Sequence, residues 1–275
     1  PSPSDKPVWA SILNASIRLT GSDLQHYAPY LKNKASIERL GGLLDVDTNF
    51  SGTLTNFSSK GSVAVKSALL DCSSAFSNPL TPQTVRLDYT LNRNAGNLSL
   101  DVSRLAIDRF EAGGRLNIKD LDKEDFFLTA TATTSAFSLK EMRPFIPWKI
   151  IPKTVGDFIA GHIRDGNFRL SEGTLKGRKS QITHIDRPEN AGVLSLRADV
   201  NEGVFTAHQT APDFHDIRGT LELQNRRFRL RGMKGLFGQS PFALEGSISD
   251  FARPGPVDYT AALTVHPARE EVVWL

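Results

Sequence analysis

Between Ile217 and Asp250 apolar side chains recur at every second position: Leu221 and Leu223, Phe228 and Leu230, then Phe242, Leu244 and Ile248. Glu222, Arg227, Arg229, Arg231 and Glu245 stand among them. A period of two sends alternate side chains to opposite faces of a strand, whereas a helix needs a period near 3.6. Held through three consecutive segments, the pattern commits this stretch to sheet with one apolar and one polar face. It predicts strands over Ile217–Gln224, Arg226–Gly232 and Pro241–Asp250, with a tight turn at Asn225 and a glycine-punctuated connection after the second strand.

The same order recurs earlier, as Leu87–Asn92, Asn97–Ser103 and Gly114–Lys119. Tyr89-Thr90-Leu91 aligns with Gly219-Thr220-Leu221, Leu98-Ser99-Leu100 with Phe228-Arg229-Leu230, and Gly114-Arg115-Leu116 with Gly246-Ser247-Ile248. A looser copy runs from Leu44 through Ser51-Gly52-Thr53-Leu54 to Gly61-Ser62-Val63-Ala64-Val65. Internal repetition of this size points to an elongated array in which each unit packs mainly on its neighbours.

Further strands are expected over Val8–Leu19, Leu43–Phe57, Lys60–Leu70, Phe126–Phe137, Asn167–Leu175, Arg178–Ile185, Gly192–Val200, Val204–His208 and Val257–Val265, about fifteen in all against the ~20 to 25% strand of an average protein. Ser22-Asp23 caps a short helix through Leu24, Tyr27 and Leu31, which Pro29 limits. The stretch from Ser73 to Thr84 is a loop. Ser138-Leu139-Lys140-Glu141 forms a capping box that opens a short helix, and Pro144 and Pro147 break it. Val155, Phe158, Ile159 and Ile163 mark a second helix over Lys153–Ile163, closed by Asp165-Gly166. The expected class is all-β with a short helical insertion, in three segments: 1–137, 138–164 and 165–275.

Composition narrows the function. A net charge of +3 over 275 residues is too mild to argue for nucleic acid. Arg226, Arg227, Arg229, Arg231 and Lys234 form the densest basic group, but Phe228 and Leu230 point away from the arginines, and base stacking needs exposed aromatics beside cations. Arg227, Arg229 and Arg231 therefore read either as a solvated outer face or as contacts to acidic headgroups. Cys72 is the sole cysteine, which excludes an internal disulfide and a cysteine zinc cluster. No apolar run reaches the ~18 residues of a membrane span. Pro1 to Asp5 carries no signal-peptide pattern, and Glu270 to Leu275 reads as the interior of an element, so both ends look cut from a longer polypeptide.

Catalytic and metal patterns are missing. The six histidines are scattered, and His208, Asp213, His215 and Asp216 are the nearest approach to a cluster, read as a loop between two strands. Gly232, Gly235 and Gly238 beside Arg231 and Lys234 could offer amides to a phosphate, but glycines between strands more often mark bulges or turns. HExxH, GxSxG, Walker A and GxGxxG are absent from the chain. The chain is not expected to be an enzyme, and neither cofactor nor metal is implied. The remaining feature is the apolar face, and alternation alone does not separate the interior of a sandwich, the commoner use of such a face, from a ligand-lined groove.

The cadence Ile217-Arg218-Gly219-Thr220-Leu221-Glu222-Leu223, then Arg227-Phe228-Arg229-Leu230, then Phe237-Gly238-Gln239-Ser240-Pro241-Phe242-Ala243-Leu244-Glu245-Gly246-Ser247-Ile248 resembles the AsmA-like proteins, particularly their YhdP-type branch. Phe50-Ser51-Gly52-Thr53-Leu54 and the helix with Gly161 to Gly166 extend the likeness loosely over most of the chain. The resemblance implies a long, strongly twisted antiparallel sheet folded into a groove (a β-taco) in the periplasm of a diderm bacterium. An inner-membrane anchor would lie in a part of the polypeptide beyond these residues. Such a module would carry a phospholipid or other acyl lipid between inner and outer membranes. Acyl chains would lie against Leu98, Leu100, Leu116, Ile118, Leu194, Leu196, Phe228, Leu230, Phe242, Leu244 and Leu263, shielded at ~0.8 kcal/mol per methylene, with headgroups at the open seam. Two other roles use the same sheet: an assembly module that guides outer-membrane β-barrel proteins, resembling TamB, and a plain scaffold without ligand. A carbohydrate-active solenoid would need carboxylates paired at ~5 to 9.5 Å, to which nothing points.

Overall fold

The alternating stretches form strands throughout, and the fold is all-β with a short helical segment. A computed structural model describes residues 12–31, 37–149, 153–185, 187–208, 210–249, 258–268 and 272–274. The predicted strand start at Val8 to Ser11, the helix side chains of Val155 and Phe158, and Pro1 to Asp5, Glu270, Glu271 and Leu275 at the ends lie outside the described residues. The strands are β1 (Leu13–Asp23), β2 (Arg39–Gly52), β3 (Phe57–Asp71), β4 (Thr84–Asn94), β5 (Asn97–Ile107), β6 (Phe110–Lys119), β7 (Phe127–Thr134), β8 (Phe137–Ser138), β9 (Ile163–Arg178), β10 (Leu194–Phe205), β11 (Phe214–Gln224), β12 (Arg227–Phe237), β13 (Ser240–Ser249) and β14 (Asp258–Val265). Among the described residues four short α-helices accompany them: α1 (Ala28–Leu31), α2 (Leu139–Met142), α3 (Lys153–His162) and α4 (Lys179–Thr183).

Two compact units divide the chain. The first is built on β1 to β7 and takes in residues 176–180; the second is built on β8 to β14, includes the helical segment 138–164 and takes in residues 74–78. In each unit the strands hydrogen-bond in chain order, and β8 pairs with β9. Sequential antiparallel neighbours need only short turns. Ala95 (φ 42°) with Gly96 (φ 81°), and Asn225 (φ 50°) with Arg226 (φ 59°), supply the two successive left-handed residues of a tight hairpin turn.

Register decides which side chains share a face. In the first unit Val63 pairs with both Val46 and Leu87, Leu87 with Leu105, Leu91 with Leu100, and Leu100 with Leu116. The residues between them pair as Arg18 with Asp47, Asn92 with Ser99, and Asp101 with Arg115. In the second unit Leu196 pairs with Leu223 and Leu223 with Phe228, while Phe228 pairs with Ile248. Arg197, Glu222 and Arg229 fall in line on the other side. One face of each unit is apolar and the other polar.

The repeats match in space for two strands and slip on the third. Leu116 stands across from Leu100, where the second unit has Gly246 across from Leu230, and Ile118 takes the place of Ile248. The sequence alignment of Leu116 with Ile248 is therefore two residues out, one pleat along the same face.

Several boundaries also differ from expectation. Arg178–Ile185 is not a strand: β9 runs to Arg178 and α4 comes next, its first turn held by Asp125, whose carboxylate accepts the Ser180 N–H at 2.8 Å. That acceptor lies more than fifty residues away in sequence, out of reach of local propensity. Gly192–Val200 and Val204–His208 merge into the single bulged strand β10, with the extra residue near Glu202 (φ 55°). Asp165-Gly166 does not close the helix; α3 stops at His162, and β9 begins at once because Ile163 and Asp165 already pair with Phe205 and Val204. The glycine-rich connection after Gly232 is strand as well. Gly232 (φ 58°) makes a bulge and β12 continues to Phe237. The connection after Ser103 likewise continues as strand, turning only at Asp108 and Arg109. The Asp23 cap and the Ser138 cap form as expected, accepting from Gln25 N–H at 2.9 Å and Glu141 N–H at 3.4 Å.

Bulges lie at corresponding heights on neighbouring strands: Val200/Gly203, His215/Arg218 and Leu230/Met233 in the second unit, Asp88/Tyr89 and Val102/Leu105 in the first. Each bends its strand. Glycines on the apolar face show the direction. A Cβ on Gly61 would lie 2.6 Å from Thr48 Cα on β2, one on Gly235 2.6 Å from the His215 carbonyl oxygen on β11, and one on Gly114 would strike the Thr131 carbonyl oxygen on β7. Neighbouring strands thus lean over the apolar side, which becomes concave. Gly61→Val should therefore destabilise the protein by roughly 2 to 4 kcal/mol, whereas Gly232→Asn, in a left-handed position with no atom near the new Cβ, should stay within about 1 kcal/mol; urea-denaturation midpoints of the two variants check both.

Candidate functional site

A sandwich buries the inner faces of both its sheets by interdigitation. Here the strands contact chiefly their hydrogen-bonded neighbours. Among the described residues only nine apolar side chains are buried, and five of them, Val200, Ile217, Met233, Phe237 and Phe242, form one cluster. Most of the rest of the apolar face is half-covered, each side chain screened by neighbours in its own layer, while Ile17, Leu19 and Leu263 on β1 and β14 are exposed.

In the second unit the cluster shuts one end of the face. Phe214 packs on Phe237 at 4.8 Å between ring centroids and edge-on to Phe242 at 5.2 Å, and Phe205 joins at 6.1 Å. The helical segment completes this end. His162, the last residue of α3, stacks on Phe205 at 5.7 Å and its ring nitrogen meets the Thr206 carbonyl at 2.8 Å. Leu221, Leu230 and Leu244 still pack against the cluster; toward the β11–β12 turn the packing thins, and Leu194, Leu196, Leu223, Phe228 and Ile248 are half-exposed.

In the first unit the loop between β3 and β4 closes one end. Leu80 pairs with Leu70 and is buried, and Ala68 N–H donates to Pro82 O at 3.0 Å. Midway, Thr48, Ser59 and Tyr89 share their hydroxyls at 2.9 to 3.3 Å, so these polar groups need no outside partner. Leu87, Leu91, Leu98, Leu100, Val102, Leu116 and Ile118 remain half-exposed beyond them.

Nine of the eleven expected groove residues are half-exposed: Leu98, Leu100, Leu116 and Ile118 in the first unit, Leu194, Leu196, Phe228, Leu230 and Leu244 in the second. Leu263 is 51% exposed on β14, across from Leu244. Phe242 is different: it is 6% exposed inside the aromatic cluster, so it closes the face instead of lining it. Leu87, Leu91, Val102, Leu221, Leu223 and Ile248 share this face without having been among the eleven, although Leu221, Leu223 and Ile248 belong to the alternating stretch. All but Val102, which faces Tyr89 and Gly114, lie directly across the ladder from another apolar residue, a pairing that the hairpin turns dictate.

The three arginines named as headgroup contacts stand on the opposite face. Arg227 donates to Ser249 Oγ at 3.1 Å, Arg231 pairs with Glu222 at 2.6 Å, and Arg229 lies across from Glu222. A headgroup of a chain resting on the apolar side would not reach them. They share this face with the pairs of Arg18 with Asp47, Arg115 with Asp101 and Arg197 with Glu222, whose arginines are exposed, so that each pair is worth at most about 1 kcal/mol.

His208, Asp213, His215 and Asp216 do not converge. His208 turns to Thr210 at 2.9 Å and Asp213 accepts from Thr206 at 2.6 Å, while His215 reaches Asp216 at 2.9 Å and the Gly238 carbonyl at 2.7 Å. Nor do the glycines form an anion nest. Gly232 N–H donates to Glu245 at 2.6 Å and Gly238 N–H to Asp213 O at 3.2 Å, so both amides are taken.

Partial burial of His215 disfavours the imidazolium, but the hydrogen bonds to Gly238 and Asp216 and the charges of Asp216 and Asp213 outweigh it, so its pKa is raised above the ordinary 6.5. A raised folded-state pKa adds stability below the unfolded value, and that stability is lost as pH climbs through the folded one. Between about pH 5.5 and about pH 8.5 the urea midpoint should therefore fall, and His215→Gln should flatten that slope. No protein-family model, no curated protein and no solved structure matches this chain.

Proposed function

We propose that this chain is an envelope lipid-transfer module, which shelters the acyl chains of a phospholipid or other acyl lipid on the concave apolar face of its sheet. In the full-length protein it would work in the periplasm, tethered to the inner membrane. The observation that carries the reading is the half-covered apolar face, continuous across neighbouring strands within each unit and lacking a second layer among the described residues. Apolar surface of this extent is costly to leave wet, and exposed patches of this kind mark binding sites for apolar partners.

The chemistry of such a face suits transfer more than capture. Each methylene moved from water onto it gains ~0.8 kcal/mol, and because the attraction has no direction, neighbouring positions along the face differ little in energy. A lipid can then shift from one leucine row to the next without breaking any specific bond. Its headgroup stays at the margin of the face, where it keeps contact with solvent. The aromatic cluster at one end of the second unit supplies folding stability that does not depend on the lipid.

Lipid extracted into organic solvent from the purified protein and measured by mass spectrometry provides the test. Leu100→Asp and Leu196→Asp place a carboxylate on the apolar face and should each lower lipid content by about tenfold, equal to about 1.4 kcal/mol, while the polar-face change Arg229→Gln leaves it unaltered. Unchanged lipid in both aspartate variants, with their strand circular dichroism intact, would overturn the reading. Cross-linking to unfolded outer-membrane barrel strands in place of lipid would favour the assembly role.

A further inference from the structure

One position of the apolar face in the first unit carries a cation. The row across β3 to β6 nearest the β4–β5 turn runs Phe57, Arg93, Leu98, Ile118, each directly paired with the next. The corresponding row of the second unit runs Leu196, Leu223, Phe228, Ile248. Arg93 therefore occupies the place of Leu223. Alternation sends it to the same side as Leu91 and Leu100, away from the polar-face pairs of Arg18, Arg115, Arg197 and Arg231.

Its surroundings do not satisfy it. The side chain is 31% exposed, and its Nε is shielded from solvent and meets no hydrogen-bond partner among the described residues. Its nearest carboxylate is Asp122, 3.8 Å away and itself 72% exposed, a loose contact that water screens. A guanidinium N–H sheltered beside leucines without an acceptor is costly for a fold to keep, and the leucine of the other unit shows that folding does not require it. The turn that presents it is fixed on both sides: Ala95 N–H donates to Asn56 Oδ1 at 2.8 Å, and Leu121 N–H to Gly96 O at 2.7 Å.

We infer that Arg93 anchors the anionic headgroup of the lipid in the first unit. Its planar fork takes a phosphate or carboxylate oxyanion while the acyl chain lies on Leu91, Leu98, Leu100 and Leu116. This rests on the acyl-lipid reading and adds charge selectivity to it. A guanidinium binds such oxyanions through two parallel N–H donors, which Asp122 at its present distance does not engage. The arginine sits at the turn end of the face, so a bound chain has one orientation, with its head by the turn and its tail toward the Leu70 and Leu80 end.

Calorimetric titration of the delipidated protein with dodecyl phosphate, dodecanol and inorganic phosphate, all below micelle-forming concentrations, tests this. Wild-type protein should bind dodecyl phosphate about tenfold more tightly than dodecanol, and should bind inorganic phosphate alone too weakly to measure. Arg93→Leu should erase the preference and leave dodecanol binding intact. Arg93→Gln, which keeps a polar side chain in place, should do the same and serves if the leucine variant misfolds. A preference that survives both substitutions overturns the inference and leaves the lipid reading standing. Inorganic phosphate binding as tightly as dodecyl phosphate also overturns it, because the site would then serve free anions. Failure of both dodecyl compounds to bind the wild type removes the lipid reading and this inference together.

Discussion

Direct cross-strand pairing of like with like is the constraint that governs this protein. A strand in the interior of an antiparallel layer hydrogen-bonds on both sides, so its register to each neighbour is set by the turns that join them. Once Val63 faces Val46 and Leu87, and Leu100 faces Leu91 and Leu116, the next apolar residue in every strand falls on the same side. A slip of one residue would turn leucines to water and arginines inward. The Arg–Asp and Arg–Glu pairs of the polar face, weak one by one, are disrupted by the same slip and so reinforce the register.

A layer built this way would be flat if nothing bent it. The bulges at matched heights and the inward glycines supply the bend, and they do so at small cost because Gly61, Gly114 and Gly235 have no side chain to displace. The bend brings the apolar rows toward one another without supplying a second sheet. Stability is then unevenly placed. In the second unit it is concentrated at the aromatic end, where Phe205, Phe214, Phe237 and Phe242 pack together, and it thins toward the β11–β12 turn. That unevenness leaves part of the face for a guest.

Charge obeys the same division of faces. Arg18, Arg115, Arg197 and Arg231 point to the polar side and meet carboxylates there, whereas Arg93 stands on the apolar side with its Nε unmet among the described residues. The contrast with Leu223 at the matching position of the second unit makes the two faces chemically unequal, although the hairpins that carry them share a register.

Strand content, the polar and apolar faces, the hairpin turn at Asn225 and the capped turns at Asp23 and Ser138 were all legible in the amino-acid sequence, because each depends on neighbours within a few residues. The helix at Lys179–Thr183 was not, since its first turn is held by Asp125 from a distant part of the chain. Nor were the merging of β10 across Glu202, the two-residue slip of the third repeated strand or the enclosure of Phe242. Alternation states only that two faces differ. Whether the apolar one is covered depends on the segments that the chain brings against it, and that is a contact between distant residues, which only the tertiary structure decides.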